Sequence, residues 1–317
     1  MPTSVDAQAG AVHRCNAHST STDVPLTVAI PSVNGWTDLE PTLAALVAEA
    51  EDVRLEILVI DRCGEALREQ IRRRFPRVCV LAAPATATIP ALRLLAFDAA
   101  RGESIAVIED HVIVPRGWAR AMLDAQRDNA VIGGTVENAA TSRTVDWAAF
   151  LCEYSHCLAP HPTGPSEWLP GNNVVYPRTL LERYRGRLSP DQWENHLHAM
   201  MRDDGIALIC RPEIAVGHCK HYTVVEYVTQ RYLYARSYAG ARVAGSSRWR
   251  RFAFGAAAFA LPPVLFHRTM SRVLRKKRHR TELLLGSPLI ALFVSAWAAG
   301  EVVGSWFGPG DSLRKVC

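Results

Sequence analysis

Along the first 130 residues, apolar runs of five or six residues alternate with longer stretches whose apolar positions recur every three or four. The runs Leu26–Ile30, Leu55–Ile60, Val78–Ala82 and Ser104–Ile108 predict strands. The stretches 38–50, 65–75, 90–101 and 116–128 predict amphipathic helices. Strand and helix in strict alternation imply a mostly parallel central sheet covered by helices, the α/β class. In such sheets ligands gather beyond the carboxyl ends of the strands, where helix N-termini and loop amides converge. The polar residues that break the pattern lie there: Pro31, Ser32 and Asn34 after the first run, Asp61 after the second, and Glu109, Asp110 and His111 after the fourth.

The pattern then loosens. Residues 130–134 read as a further strand, 144–157 as a helix, 161–178 as a long loop full of turn residues, 191–204 as a helix, 205–218 as a pair of strands ending on His218, and 223–239 as a helix rich in Tyr and Arg. Past residue 250 two apolar segments, 252–266 and 283–308, flank the basic run 272–280. The second is long enough to cross a bilayer but contains Glu301, which leaves crossing and shallow insertion both open. The first is short and carries Pro262 and Pro263, so it is expected to lie in the membrane interface or re-enter. The expected organisation is a disordered leader over 1–24, a globular body over 25–240, and a basic, membrane-associated tail over 241–317.

Charge sharpens that division. The chain of 317 residues carries a net +5, yet residues 241–280 hold eleven Lys and Arg and no acid, leaving 25 basic against 31 acidic residues elsewhere. An anionic surface is therefore expected to meet one end only, and the chosen surface is a membrane. Nucleic acid is a poor fit, because the basic run lies between apolar segments with no nucleic-acid-reading module beside it. The eight cysteines show no CxxC spacing and read as reduced thiols in a cytosolic body. Residues 1–24 lack the apolar stretch of a signal peptide.

Two acids and an imidazole following a central strand suit a divalent cation that bridges diphosphate oxygens. The ordered set "VAIPSVN", "ILVID", "IEDHVIVPRGW", "GG" at 133–134, "PGNNVVYPR", "WENHLHAMMRDDG" and "IAVGH" resembles the family 2 glycosyltransferases of the GT-A fold, over roughly residues 25–240. The resemblance implies a nucleotide-sugar donor, a saccharide or lipid-linked acceptor, and transfer with inversion. Pro31, Ser32, Asp61, Arg93 and Asp110 would then face the nucleotide sugar. Glu109 and His111 occupy the outer places of the family's Asp-x-Asp metal motif, and His218 matches a histidine that completes the metal or diphosphate site. The departure from two aspartates puts a nitrogen ligand on the cation, manganese or magnesium, and tilts the choice toward manganese. Asn172 and Asn173 match the acceptor-side loop. Counting back from Gly205 places the family's acidic pair on Trp193 and Glu194, so Glu194 is the implied general base.

The same departure permits a second function, a catalytically silent relative that binds a nucleotide sugar or scaffolds a polysaccharide-synthesis complex. The enzyme is the preferred reading, in surface polysaccharide or glycolipid synthesis at the cytoplasmic face of the cell membrane.

Overall fold

A computed structural model describes residues 24–128 and 131–316; the leader expected over 1–24 lies outside them save for its last residue. The chain runs β1 (Leu26–Ser32), α1 (Trp36–Glu49), β2 (Leu55–Asp61), α2 (Glu65–Arg74), β3 (Cys79–Ala82), α3 (Ile89–Ala99), β4 (Ser104–Val107), β5 (Val112–Ile113), α4 (Trp118–Ala125), β6 (Val131–Gly133), β7 (Val136–Asn138), α5 (Thr144–Tyr154), β8 (Gly164–Pro165), β9 (Val174–Pro177), α6 (Arg178–Tyr184), α7 (Glu194–Asp203), β10 (Leu208–Cys210), β11 (Val216–His218), α8 (Val224–Arg242), α9 (Arg248–Ala257), α10 (Leu261–Lys276) and α11 (Arg280–Phe307). The expected alternation is present through residue 125, apart from the two-residue β5 between β4 and α4.

The main sheet has the order β3-β2-β1-β4-β9-β6-β10-β8. Its first four strands are parallel, and all seven residues of β1 are buried because helices cover both faces. Ser32 lies opposite Asp61 and Ala29 opposite Val107, so the carboxyl ends of β1, β2 and β4 stand side by side. A small second sheet, β5-β11-β7, pairs His218 with Val112. That pairing sets His218 beside the loop that follows β4.

Several expectations are corrected. The predicted loop 161–178 contains β9, fully buried and antiparallel to both β4 and β6. Its four residues sit between turn formers, and turn chemistry outweighed so short an apolar run. Pro262 and Pro263 do not interrupt a helix: they occupy the first turn of α10, where a missing N–H leaves no bond unmade. The eight cysteines are not all thiols, since Cys79, on edge strand β3, is disulfide-bonded.

The boundary expected at residue 240 falls inside α8, and the tail beyond it shares the core of the body. Leu283, Ile290, Phe293 and Val294 of α11 belong to the same buried cluster as Val28, Ile30 and Trp118. Helix α11 runs along α8, with Phe293 edge-on to Tyr227 at 4.5 Å between ring centroids and Arg231 over Trp297 at 4.1 Å. Buried Glu301 pairs with Arg242. Both flanks of α11 return to the body. Before it, Arg278 pairs with Glu137 and His279 lies against Trp147; after it, Arg62 donates to the Val316 carbonyl, and Val316 packs with Ile89 and Trp193. A bilayer span carries its two ends to opposite sides of the membrane. Both flanks of α11 thus contact the body, while 39% of its most apolar window is buried and Leu284, Leu285, Leu292 and Phe307 stay exposed.

Candidate active site

The loop after β1 is held against the loop after β4 by Asp110. Its buried carboxylate accepts from the Val33 and Asn34 amides at 2.7 and 2.9 Å and from Asn34 Nδ2 at 2.7 Å, and it meets His111 Nδ1 at 3.0 Å. Asp110, expected to face a nucleotide sugar, lines the cleft and also braces the two loops, with 1% exposure. Asp61 is likewise fully buried, accepting from the Cys63 and Gly64 amides and from Arg68, which fixes the turn into α2. Pro31 lines the cleft at the mouth of these loops. Ser32 is buried, and its hydroxyl has no partner among the described residues.

Glu109, His111 and His218 converge, with one ligand atom of each lying within 4.8 Å of the others. The Nε2 atoms of His111 and His218 are 3.0 Å apart, and Glu109 Oε2 is 3.4 Å from His111 Nε2. Burial disfavours the charged Glu109, but the hydrogen bond and charge of His111, then His218 and Arg93, hold its carboxyl well below the usual range. Burial pulls His111 down, and its bonds to Asp110 and Glu109 outweigh that and push it up to about 9. His218 is pushed down to about 3, by burial first and then by the His111 charge. These shifts favour an anionic Glu109, an imidazolium His111 and a neutral His218. The 3.0 Å spacing matches two neighbouring ligands on one ion with bonds of about 2.1 Å.

Arg93, buried on α3, connects this cluster to Glu194. It ion-pairs with Glu194, donates to the Gly171 carbonyl at 3.3 Å, and reaches Glu109 Oε1 at 4.0 Å. Glu194 opens α7 and lies directly over Gly171, where an added Cβ would come within 2.4 Å of the Glu194 carboxyl carbon. A glycine there is what lets the carboxylate reach Arg93. Asn172 donates to Glu109 Oε2 and to the Tyr154 hydroxyl, both at 3.0 Å. Asn173 corrects the expectation of an acceptor contact. It is fully buried, its amide nitrogen donates to the Thr135 and Ile214 carbonyls, and its oxygen accepts from Trp118 Nε1.

The structure thus gathers Glu109, Asp110, His111 and His218 on one cleft and Glu109, Arg93, Asn172 and Glu194 on the adjoining cavity, and it turns Asp61 and Asn173 inward. Sequence reasoning missed Tyr154, whose hydroxyl donates to Glu109 at 3.2 Å. It also gave no role to the tyrosines of 222–238, of which Tyr222, Tyr227 and Tyr234 line the cleft. A tyrosine on a helix carries no signal of which way its hydroxyl points.

Residues 27–164 match the family model described as Glycosyl transferase family 2. No curated protein matches the chain by sequence. Among solved structures, the mannosyltransferase PcManGT from Pyrobaculum calidifontis, in complex with GDP-Man and Mn2+, aligns with a TM-score of 0.56 at 15% identity, over 88% of this chain and 87% of that one. GalNAc-T7 with UDP, GalNAc and Mn2+ aligns with a TM-score of 0.50 at 15% identity, over 62% and 43%. S. aureus TarS 1–349 in complex with UDP-GlcNAc aligns with a TM-score of 0.50 at 14% identity, over 88% and 91%. At these identities the likeness is one of fold.

Proposed function

We propose, for a chain whose residues 27–164 belong to glycosyl transferase family 2, that it transfers a sugar with inversion from a nucleoside-diphosphate sugar to an acceptor hydroxyl, using a divalent cation. One observation carries the reading: Glu109, His111 and His218 converge beyond the carboxyl ends of β1 and β4, and Arg93 joins that cluster to Glu194. The two imidazoles and the carboxylate would hold the cation, preferably manganese, which offsets negative charge on a departing diphosphate. Pro31 and the loop braced by Asp110 shape the donor cleft. Arg93 orients Glu194 through their ion pair. Glu194 accepts the proton of the acceptor hydroxyl as that oxygen attacks the anomeric carbon from the face opposite the leaving group. Asn172, fixed by Glu109 and Tyr154, presents an Oδ1 without a partner of its own among the described residues, an acceptor for a sugar hydroxyl.

The experiment is a panel of UDP- and GDP-sugars with Mn2+, followed by nucleoside diphosphate release. Glu194→Gln should keep donor binding and lower turnover by roughly 100-fold. Glu109→Gln should lose Mn2+-dependent donor binding. The silent-binder reading is favoured by the histidine in place of an aspartate. It would appear as donor binding with no nucleoside diphosphate release, and it would displace the present one.

The body is placed at the cytoplasmic face of a membrane, held there peripherally. An aromatic patch supports this: Trp249, Phe252, Phe259, Trp306 and Phe307 form a chain of ring contacts, beside Arg248, Arg250 and Arg251. Exposed Trp and Phe beside Arg are the composition of interfacial anchors.

A further inference from the structure

We propose that residues 309–316 form a strap closed over the carboxyl ends of β1 and β2, and that a nucleoside diphosphate must lift it to reach the cleft of His111 and His218. The inference rests on the glycosyltransferase reading and adds to it a control on the donor site.

The strap follows α11, and its near end is fixed. Arg236 donates to the Gly308 carbonyl at 3.3 Å, and a Cβ on Gly240 of α8 would stand 2.3 Å from the Pro309 nitrogen. Gly308 and Gly310, on either side of Pro309, have φ of +85° and +54°, left-handed values that glycine adopts without steric cost. The far end lies on the strand ends. Arg62, the residue after β2, donates to the Val316 carbonyl. The Val316 side chain is fully buried with Ile89 at the start of α3 and Trp193 before α7, beside Val33 of the loop after β1. In sheets of this kind the crevice beyond the carboxyl ends of parallel strands is where a ligand binds. Here a piece of the chain itself fills it.

The cleft that remains is too small for its substrate. Val33, Ile89 and Tyr234 belong to the apolar cluster around Val316 and also line the cleft that holds Glu109, His111 and His218. With the strap seated, that cleft has a volume of about 20 Å³, room for a water and not for a nucleoside diphosphate. The adjoining cavity of about 520 Å³ is lined by no residue of β1, β2 or the loops after them, so it offers no second place over those strand ends.

The seat is also weakly built. Under the middle of the strap lies a cavity of about 410 Å³, bounded by Trp193, Tyr238 and Ala241 on one side and by Pro309 and Leu313 on the other. Ser312 is fully buried with no partner for its hydroxyl among the described residues, so the closed form lacks a hydrogen bond that water supplies once the strap lifts. What holds the far end is the Arg62 bond and the burial of Val316 and Leu313. The two glycines beside Pro309 can absorb the change of backbone direction that lifting requires.

The test is hydrogen–deuterium exchange of the full chain, read peptide by peptide, alone and with UDP or GDP plus Mn2+. Lifting should speed exchange in 309–316 while the loops after β1 and β4 slow. A segment that is only a wall of the occupied site would slow with them. Calorimetry with the same ligands compares the wild type with a Leu313→Ser/Val316→Ser variant. Apparent affinity is reduced by the fraction of molecules that are closed, so loss of the two buried apolar side chains should tighten nucleotide binding about tenfold or more. Unchanged or slower exchange in 309–316 on binding overturns the strap, and this reading on the wild type does not depend on how the variant folds. Wild-type or weaker affinity in a variant with native far-ultraviolet circular dichroism also overturns it. Either result, with UDP or GDP still bound, leaves the glycosyltransferase reading standing. Failure of both proteins to bind either nucleotide overturns that reading and the strap with it.

Discussion

Adjacent Asn172 and Asn173 have opposite roles, and the reason is backbone direction. Asn172 points into the cleft toward Glu109, whereas Asn173, at the entrance to β9, points into the core and ties together three separate segments. The letters "NN" hold no record of that alternation, which is why both were expected to meet an acceptor. Glu109, His111, His218 and Glu194 were legible because each stands at the end of a strand or the start of a helix, where direction is set by the element. A second residue-level consequence concerns His198 on α7. It is 1% exposed, receives the Tyr176 hydroxyl at 2.7 Å, and has no partner for Nδ1 among the described residues. Burial, the largest influence, with Arg93 adding and Glu194 opposing, pushes it down to about 4. Between the unfolded value near 6.5 and that folded value, the unfolded chain binds a proton that the folded chain refuses. Stability from this site is therefore complete above about pH 6.5 and is lost as pH falls. From pH 7 to pH 5 the loss should be about 2 kcal/mol. Urea unfolding at the two pH values should show a shallower dependence in His198→Gln, and an unchanged dependence would rule the residue out as the source.

At the scale of elements, β1 to β4 and α1 to α4 were readable because hydrophobic period and length agreed, while β5, β9 and α11 were not. β9 is too short to register against its flanking turn residues. α11 has the length and hydropathy of a span, and those properties do not distinguish lipid from protein as the apolar partner. Gly300 and Gly304 do distinguish them here. A Cβ at Gly304 would stand 2.4 Å from the Arg236 carbonyl oxygen and 2.9 Å from Ala239 Cβ, and Gly300 approaches Tyr232 and Ala235 as closely. The two helices meet backbone to backbone along this seam. In a helix free of neighbours Gly→Ala stabilises by about 1 kcal/mol. In this seam Gly304→Ala must push α8 and α11 apart, and we expect a net loss of about 2 kcal/mol, within the usual range for overpacking. Chemical denaturation of the purified chain checks the sign. Stabilisation by Gly304→Ala would mean that α11 stands away from α8, as an independent span would.

For the whole molecule, the question is how a chain with an acidic body and a basic end meets a surface. The eleven basic residues of 241–280 lie on α8 to α11, and the exposed aromatic chain from Trp249, 82% exposed, to Phe307, 74% exposed, lies on α9, α11 and the turn before α10. In the peripheral attachment proposed above, this face makes the contact and α11 does not cross. Each positive charge near an anionic head-group layer contributes about 1 kcal/mol, falling off within a Debye length. Each large apolar side chain inserted contributes roughly 2 kcal/mol. The charge term weakens with salt and the apolar term does not, so the two separate experimentally. The chain should sediment with phosphatidylglycerol-containing vesicles in low salt, bind phosphatidylcholine vesicles much less, and lose most of the difference at high ionic strength. Trp249→Ser/Phe252→Ser/Phe307→Ser should lower partitioning more than tenfold on both lipids while leaving the salt dependence in place. Alkaline carbonate should release the wild-type chain from native membranes. Retention in the carbonate pellet would show that α11 leaves the body and crosses the bilayer, and unaltered partitioning of the triple variant would move the contact to another face.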